Sequence, residues 1–558
     1  MNIGIVGSGP SAVYAIKHLL AADEPLRITV YEAGEHAGVG TPYDPLTTPV
    51  ALLANIASVE LPPVTETLLA FLKRTGEAEL AAIGVDRDAM TERTFHPRVA
   101  IGAYYAAQLD ALGKVATDRG HTLAIRISCP VVDIWPDGDW VRIRCRPKGV
   151  SPTDEVHDKV IIATGHTVPR ASAFPFPDLM RVGDRGRSFG ILGSSLSAID
   201  IAVSIAAERG EFTYDGYARD EGEEPFTITM MSRGGRLPEA DFYCPLPTAP
   251  LTGFTQQEVE SLAAYAPEGR VLDTVFARFA RLLAEEDPAY AQRIDLPHLT
   301  PDTFEQAYFA ERDAWQPLEW ARHNLAEAMG NARARVTVPW RYTILRCHEA
   351  FAACLSHLTE TERSRFDRGL KKVFVDNYAA VPPVSIQRLL AMHDAGVFDV
   401  LRLGDDYSTD VAEDGAVTIT TDRRNVLFDA VYDARGQAAA DTGDIPFPTL
   451  RFLLTSNLRY DADTADDKAV CIDRLYRLSG RLNPLANIWC LGLPFLLSRE
   501  PFIQGLTSAA KLGQTAAAAI LASKPEPDVS IQELLARVRD TDTVIINGGL
   551  VVLSPKAT

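Results

Sequence analysis

The stretch Gly7-Ser8-Gly9-Pro10-Ser11-Ala12 holds the residue types that let a backbone close around a phosphate. Gly7 allows a tight turn, Gly9 lets the main chain approach a pyrophosphate, and Ala12 allows close helix–strand packing. A helix that starts here aims free N–H groups and the positive end of its dipole at an anion. Glu32 closes the next apolar run, where a carboxylate can accept hydrogen bonds from ribose hydroxyls. The chemistry implied is dinucleotide binding. The competing explanation is a Gly-rich turn in an unrelated α/β sheet.

A second set of such residues is Gly193-Ser194-Ser195-Leu196-Ser197-Ala198, with Ser195 where the middle glycine would stand. The strand that follows ends in Ser232-Arg233 and not in an acid. A cation there suits a ribose 2′-phosphate and hence NADPH. The alternative is a surface arginine that begins a loop. Between the two sets, Ala163-Thr164-Gly165-His166 ends an apolar run. Such a pattern is common where a flavoprotein with two dinucleotide sites leaves its FAD domain. Near the C-terminus an apolar run reaches Gly492, and Gln504-Gly505-Leu506 opens a helix running through Ala516. Its N-terminus would face a flavin pyrimidine, which gains negative charge on reduction; the alternative for Gly505 is an ordinary glycine at a helix start.

These residues need elements to hold them. Ile3–Val6, Ile28–Tyr31, Val160–Ile162, Phe189–Leu192, Phe226–Met231 and Ile488–Cys490 read as short buried strands of a parallel sheet. Helical spacing follows each glycine turn, through Ala12, Ile16 and Leu19 and through Ile199, Ala202 and Val203. A polar stretch, Glu208 to Glu224, precedes the strand at Phe226. The expected fold is α/β: two dinucleotide-binding Rossmann-like domains, for FAD and NADPH, with a helical insert. The expected organisation is 1–175 for the first part of the FAD domain and 186–254 for the NADPH domain. A helical insert and substrate cap follows at 255–396, then a return to both domains at 397–523 and a tail at 524–558. In the insert, Phe276, Phe279, Leu282 and Leu283 keep helical spacing, as do Trp315, Leu318 and Trp320. Val417–Thr420 and Phe428–Tyr432 read as later strands, Ile531–Val538 as a helix of the tail, and Val544–Ile546 as β-prone.

At 558 residues the chain is too long for one core, and two or three domains are expected. With 55 Lys+Arg against 74 Asp+Glu the net charge is -19, which argues against nucleic acid as a partner. No run of 18 apolar residues occurs and no signal peptide is legible, so a cytoplasmic protein without a membrane partner is expected. Seven scattered cysteines without a C-x-x-C read as reduced, mostly buried thiols. Eleven histidines form no metal-binding spacing, so no metal is expected.

The order of motifs resembles the class B flavoprotein monooxygenases and their bacterial relatives with a combined FAD/NAD(P)-binding domain. Besides the pieces above, the resemblance rests on Gly38-Val39-Gly40-Thr41-Pro42-Tyr43, Leu52-Leu53-Ala54-Asn55-Ile56 and Phe95-His96-Pro97-Arg98. It covers most of the chain except the helical insert and the tail. It places Gly40 and Arg98 among the cofactor contacts, with Asn55 as the asparagine kept beside the flavin; the alternative for Asn55 is a turn cap. Within the group the chain looks like the flavin-dependent N-monooxygenases that convert aspartate to nitrosuccinate. The signature F-x-G-x-x-x-H of the Baeyer–Villiger enzymes is absent.

The resulting expectation is an FAD- and NADPH-dependent monooxygenase that uses O₂ and hydroxylates the nitrogen of a small anionic amino acid such as aspartate through a C4a-hydroperoxyflavin. Arg341 or the Lys371-Lys372 pair would hold the substrate carboxylate; the alternative for these cations is solvated helix faces. The alternatives are an NADPH-dependent flavoprotein reductase without oxygen insertion and a non-catalytic nucleotide-binding redox sensor. The sequence leaves the oligomeric state open.

Overall fold

The computed structural model describes residues 1–165, 178–249, 251–436, 439–458, 470–479, 483–503 and 505–523, with the backbone of 543–546 and 549–552. His166, Gln504 and the stretch Ile531–Val538 lie outside the described residues. The chain divides into two units. The first comprises Met1–Val50, Ile56–Val168 and Ala438–Thr558; the second comprises Ala51–Asn55 and Pro169–Gln437.

The first unit is built on a five-stranded parallel sheet. Its order is Ile488–Cys490, Lys159–Ile162, Asn2–Val6, Arg27–Tyr31, Thr122–Arg126. The central strands are buried because helices cover a parallel sheet on its faces. Helix Pro10–Leu19 follows the first strand, and its Ala12, Val13, Ala15, Ile16 and Leu19 are buried. Helix Gly505–Ala522 lies against it: a Cβ at Gly513 would fall 2.5 Å from the Ala15 nitrogen. A three-stranded antiparallel sheet, Val131–Asp137, Trp140–Cys145 and Thr153–His157, adds to this unit. Strands Thr543–Ile546 and Gly549–Val552 pair antiparallel in the tail.

The second unit holds a four-stranded parallel sheet in the order Phe398–Arg402, Thr227–Ser232, Ser188–Leu192, Ala430–Asp433. Helix Leu196–Glu208 follows its central strand and is buried from Ala198 to Ala206. The polar stretch after this helix contains a hairpin, Gly210–Thr213 with Gly216–Arg219. One reading changes here. The run Phe428–Tyr432 is shared by two strands, Asn425–Phe428 of an antiparallel sheet and Ala430–Asp433 of the parallel one. Asp429 makes the break, because its carboxylate accepts from the backbone N–H groups of Arg187 and Ser188 at 2.7 and 2.9 Å.

Helices from Gln256–Tyr265 to Pro383–Asp394 form the helical part of this unit. Helix Val271–Glu286 buries Phe276, Phe279, Leu282 and Leu283. Phe279 packs edge-on against Phe304, Phe351 and Phe374, giving an aromatic core. Trp315 lies just before helix Pro317–Ala334 and stacks on His323. No helix among the described residues is long and apolar enough to cross a membrane.

Candidate functional site

In the first unit the Gly7 turn sits where the strand order reverses, between Asn2–Val6 and Lys159–Ile162, the switch point at which open α/β sheets take ligands. Gly7 has φ +94°, and a Cβ there would strike the carbonyl oxygen of Ala163. Gly9 and Gly40 approach backbone to backbone, and a Cβ at Gly9 would fall 3.3 Å from Gly40 Cα. Pro10 and Ser11 begin the helix, Pro10 at its first position, and its first turn carries no acid. The cradle therefore has bare main chain and a positive helix end, as a pyrophosphate requires.

Glu32 accepts from Ser8 N–H at 3.1 Å, from Ser8 Oγ–H at 2.5 Å and from Gly34 N–H at 2.7 Å. Ser8 Oγ in turn accepts from Gly38 N–H at 2.9 Å. Glu32 thus ties the turn to the segment leading to Gly40, and a carboxylate has acceptor capacity beyond these three bonds. Sequence reasoning did not single out Ser8, because a serine inside a Gly-rich turn gives no signal of its own. Thr164 follows Ala163 at the same end of the sheet, and its Oγ1 is buried with no hydrogen-bond partner among the described residues. A Cβ at Gly492 would lie 3.7 Å from that hydroxyl. An orphaned hydroxyl beside a glycine cradle fits a bound FAD with polar atoms to offer.

The structure thus brings Gly7, Gly9, Glu32, Gly40, Thr164 and Gly492 together. Gly165 is exposed, with φ +66°. Arg98 is half-buried at the start of helix Arg98–Asp118, after His96, whose imidazole burial lowers to about 4. Gly505 and Leu506 start helix Gly505–Ala522, with Leu506 buried. Asn55 is half-buried on strand Leu53–Ala57, at the end of the short segment that belongs to the second unit.

The second unit repeats the first in register. Gly193 N–H donates to Met231 O at 2.7 Å as Gly7 N–H donates to Tyr31 O at 2.8 Å. Ala434 N–H donates to Leu192 O at 2.7 Å as Ala163 N–H donates to Val6 O at 2.8 Å. Gly193 has φ +118°, and a Cβ would fall 2.6 Å from Ala434 O. Ser194 leads to Ser195, the N-cap of helix Leu196–Glu208, which again has no acid in its first turn. Ser195 has φ -102°, ordinary for any L residue, so the missing glycine costs the turn nothing in backbone strain. The register also puts Ser232 where the first unit has Glu32. Ser232 Oγ accepts from Gly235 N–H at 3.1 Å. Arg233 beside it is exposed and makes no ion pair among the described residues.

The same register equates Ala163-Thr164-Gly165 with Ala434-Arg435-Gly436. Sequence reasoning missed this echo; an A-x-G after an apolar strand was the available signal.

The three substrate-binding candidates sit on two helices, Arg341 on Pro339–Ala352 and Lys371 with Lys372 on Leu370–Tyr378. Arg341 is 5% exposed and bridges Glu239 at 3.2 Å and Glu327 at 3.0 Å. Burial raises the Glu239 carboxyl, and Arg341 opposes that shift. Lys371 pairs with Asp367 at 3.0 Å and Lys372 lies 3.7 Å from Glu305. Nearby, Arg365 is held by Asp273 and Asp302 and Arg346 by Glu286. The cations that stand out in this acidic chain are largely neutralised by its own carboxylates. None of the seven cysteines is in a disulfide; six are buried and Cys471 is exposed.

Comparison with known proteins adds the following. Residues 4–167 match the family described as FAD-NAD(P)-binding, and residues 255–378 match the family described as YdhS-like middle domain. Among solved structures the chain is similar to the ornithine N-hydroxylase of Kutzneria sp. 744. That match has 15% identity and a TM-score of 0.47, and covers 93% of this chain and 98% of that one. It is also similar to the bacillithiol disulfide reductase Bdr of Bacillus cereus, with 11% identity and a TM-score of 0.40 over 94% and 99% of the two chains. Over 536 residues it is 38% identical to the Escherichia coli (strain K12) protein YdhS, described as uncharacterized, covering 93% of this chain and 97% of that one. With that identity over nearly the whole of both proteins, and with the middle-domain match inside it, the chain belongs to the YdhS family.

Proposed function

We propose that the protein is an FAD- and NADPH-dependent monooxygenase, with FAD in the first unit and NADPH in the second. The observation that carries this reading is the pair of glycine turns at two parallel-sheet switch points, alike in register and different in polar groups. One nucleotide site would suffice for a binding protein; two suit a chain that passes electrons from one cofactor to the other.

When bound, FAD and NADPH supply hydride transfer and oxygen activation. The chain's own residues do the rest. Gly7, Gly9 and Gly40 keep side chains out of the pyrophosphate path, and the N-terminal end of helix Pro10–Leu19 offsets its charge. Glu32 accepts from the ribose while its bonds to Ser8 and Gly34 hold its rotamer. Thr164 Oγ1 supplies a hydrogen bond it lacks inside the protein. In the second unit Ser232 removes the carboxylate that would repel a 2′-phosphate, and Arg233 pairs with that group.

For the substrate we keep a small anionic amino acid such as aspartate, oxidised on nitrogen, with Asn55 beside the flavin. Since Arg341 is already bridged by Glu239 and Glu327, the more exposed Lys371 and Lys372 are the better carboxylate partners. The test is a screen of amino acids for stimulated NADPH oxidation, with product mass measured. Aspartate gaining oxygen supports the full reading. Steady NADPH oxidation without an oxygenated product leaves a flavoprotein reductase, and no NADPH oxidation by a flavin-loaded protein contradicts the enzyme reading.

A further inference from the structure

Arg435 has no cationic counterpart in the first unit. It stands where Thr164 stands there, one residue beyond the alanine whose carbonyl backs the turn glycine. Its side chain is 53% exposed, yet it is not loose. Arg435 Nε donates to Asp433 Oδ1 at 2.8 Å and Nη2 donates to Asp433 Oδ2 at 2.7 Å. Asp433 Oδ1 also accepts from Arg435 N–H at 3.1 Å. One carboxylate therefore fixes both the backbone and the fork, Tyr407 also bonds to the guanidinium, and the donors left over keep a set direction.

The sheet order puts Ala430–Asp433 on one side of the central strand Ser188–Leu192 and Thr227–Ser232 on the other. Arg233 and Arg435 thus flank the Gly193 turn from opposite sides. In this type of unit the 2′-phosphate lies at the end of the second strand and the pyrophosphate at the glycine turn. Arg233 is on the first of these positions. Arg435 is beside the second, where every nicotinamide dinucleotide carries the same two negative charges.

We infer that Arg435, braced by Asp433, is a pyrophosphate ligand of the second unit and takes the part that the middle turn glycine, Gly9, and bare backbone play alone in the first. It binds the portion common to NADPH and NADH, so it adds affinity without choosing between them. This rests on the reading that the second unit holds a nicotinamide dinucleotide. It also accounts for the tolerance of Ser195 in the turn: an added cation compensates for a less open backbone.

The experiment measures binding of NADP⁺ and NAD⁺ to the flavin-loaded protein by titration calorimetry, in the wild type and four variants. Arg435→Ala should weaken both nucleotides by the same factor, about tenfold or more for a lost charge-assisted contact. Arg435→Lys should recover part of that loss for both, while flavin content and melting temperature stay at wild-type values. Arg233→Ala should weaken NADP⁺ alone. A loss confined to NADP⁺ in Arg435→Ala, or no loss in it, overturns the inference. So does wild-type affinity in Asp433→Asn/Arg435→Ala, because Arg435 would then serve only to neutralise Asp433. If the wild type binds neither nucleotide, the assignment of the second unit fails first and this inference with it.

Discussion

The two glycine turns of this chain are the same piece of backbone carrying different side chains. Gly7 and Gly193 share a positive φ, a backbone bond to the neighbouring strand, and an alanine carbonyl too close for any Cβ. Around that common core the polar groups diverge. The first unit has Glu32 and a Thr164 hydroxyl without a partner among the described residues, both suited to ribose and to neutral polar atoms. The second has Ser232, Arg233 and the Arg435–Asp433 pair, a cationic surround in a chain of net charge -19. On the proposed reading a dinucleotide fits in both places, and the side chains at three register positions decide which one. A degraded fingerprint such as Ser195 for glycine is therefore weak grounds for doubting a site when the strained glycine beside it is intact.

The comparison can be broken most severely at its shared element. Gly7→Ala combines a backbone conformation that L residues resist, costing about 1–3 kcal/mol, with overlap against the Ala163 carbonyl. Purified Gly7→Ala protein should be colourless where the wild type is yellow, as absorbance and release of FAD on denaturation would show. Gly193→Ala carries the same strain in the second unit. It should retain its flavin and lose NADPH binding, which titration of the flavin-loaded variant checks.

Acid gives a further handle on the first unit. His157, bonded to Tyr31 Oη at 2.8 Å and to Asn2 Oδ1 at 3.2 Å, and His96 are buried in the first unit, and burial lowers both imidazoles to about 4. Unfolded, they titrate near ~6.5. Between these values the unfolded chain binds more protons, so stability falls as pH drops from about 6.5 to about 4 and levels off below. The melting temperature and flavin retention should fall together over that window, and His157→Gln should flatten the slope. A smaller effect is expected of Arg233→Ala, which should reduce the preference for NADPH over NADH by about tenfold, in line with ~1.5 kcal/mol for a charge-assisted bond. The smallest is expected of Ser195→Gly. Exchanging these residues at an N-cap is worth a few tenths of a kcal/mol, so coenzyme affinity should change by less than about twofold.

Much of this was legible in the sequence, and the reason is physical. Asn2–Val6, Arg27–Tyr31, Lys159–Ile162 and Ser188–Leu192 are mostly apolar after their first residue because parallel strands are covered on both faces, and Gly7 and Gly193 follow the first and the last directly. What was not legible depended on long-range pairing. Phe428–Tyr432 reads as one strand until Asp429 is seen capping the backbone of Arg187 and Ser188, far away in sequence. Arg341 reads as a free cation because neither Glu239 nor Glu327 is near it in the chain. Arg435 was hidden because the A-x-G pattern that ends the first unit carries a threonine and its repeat an arginine.

The central claim is that electrons enter at the second unit and reach a flavin held by the first. Anaerobic mixing of the flavin-loaded protein with NADPH, followed by the flavin's visible absorbance, tests it most directly. The account predicts rapid bleaching in the wild type and none in Gly193→Ala of equal flavin content. Bleaching at the same rate in Gly193→Ala, or a wild-type flavin that neither NADPH nor NADH reduces, would contradict it.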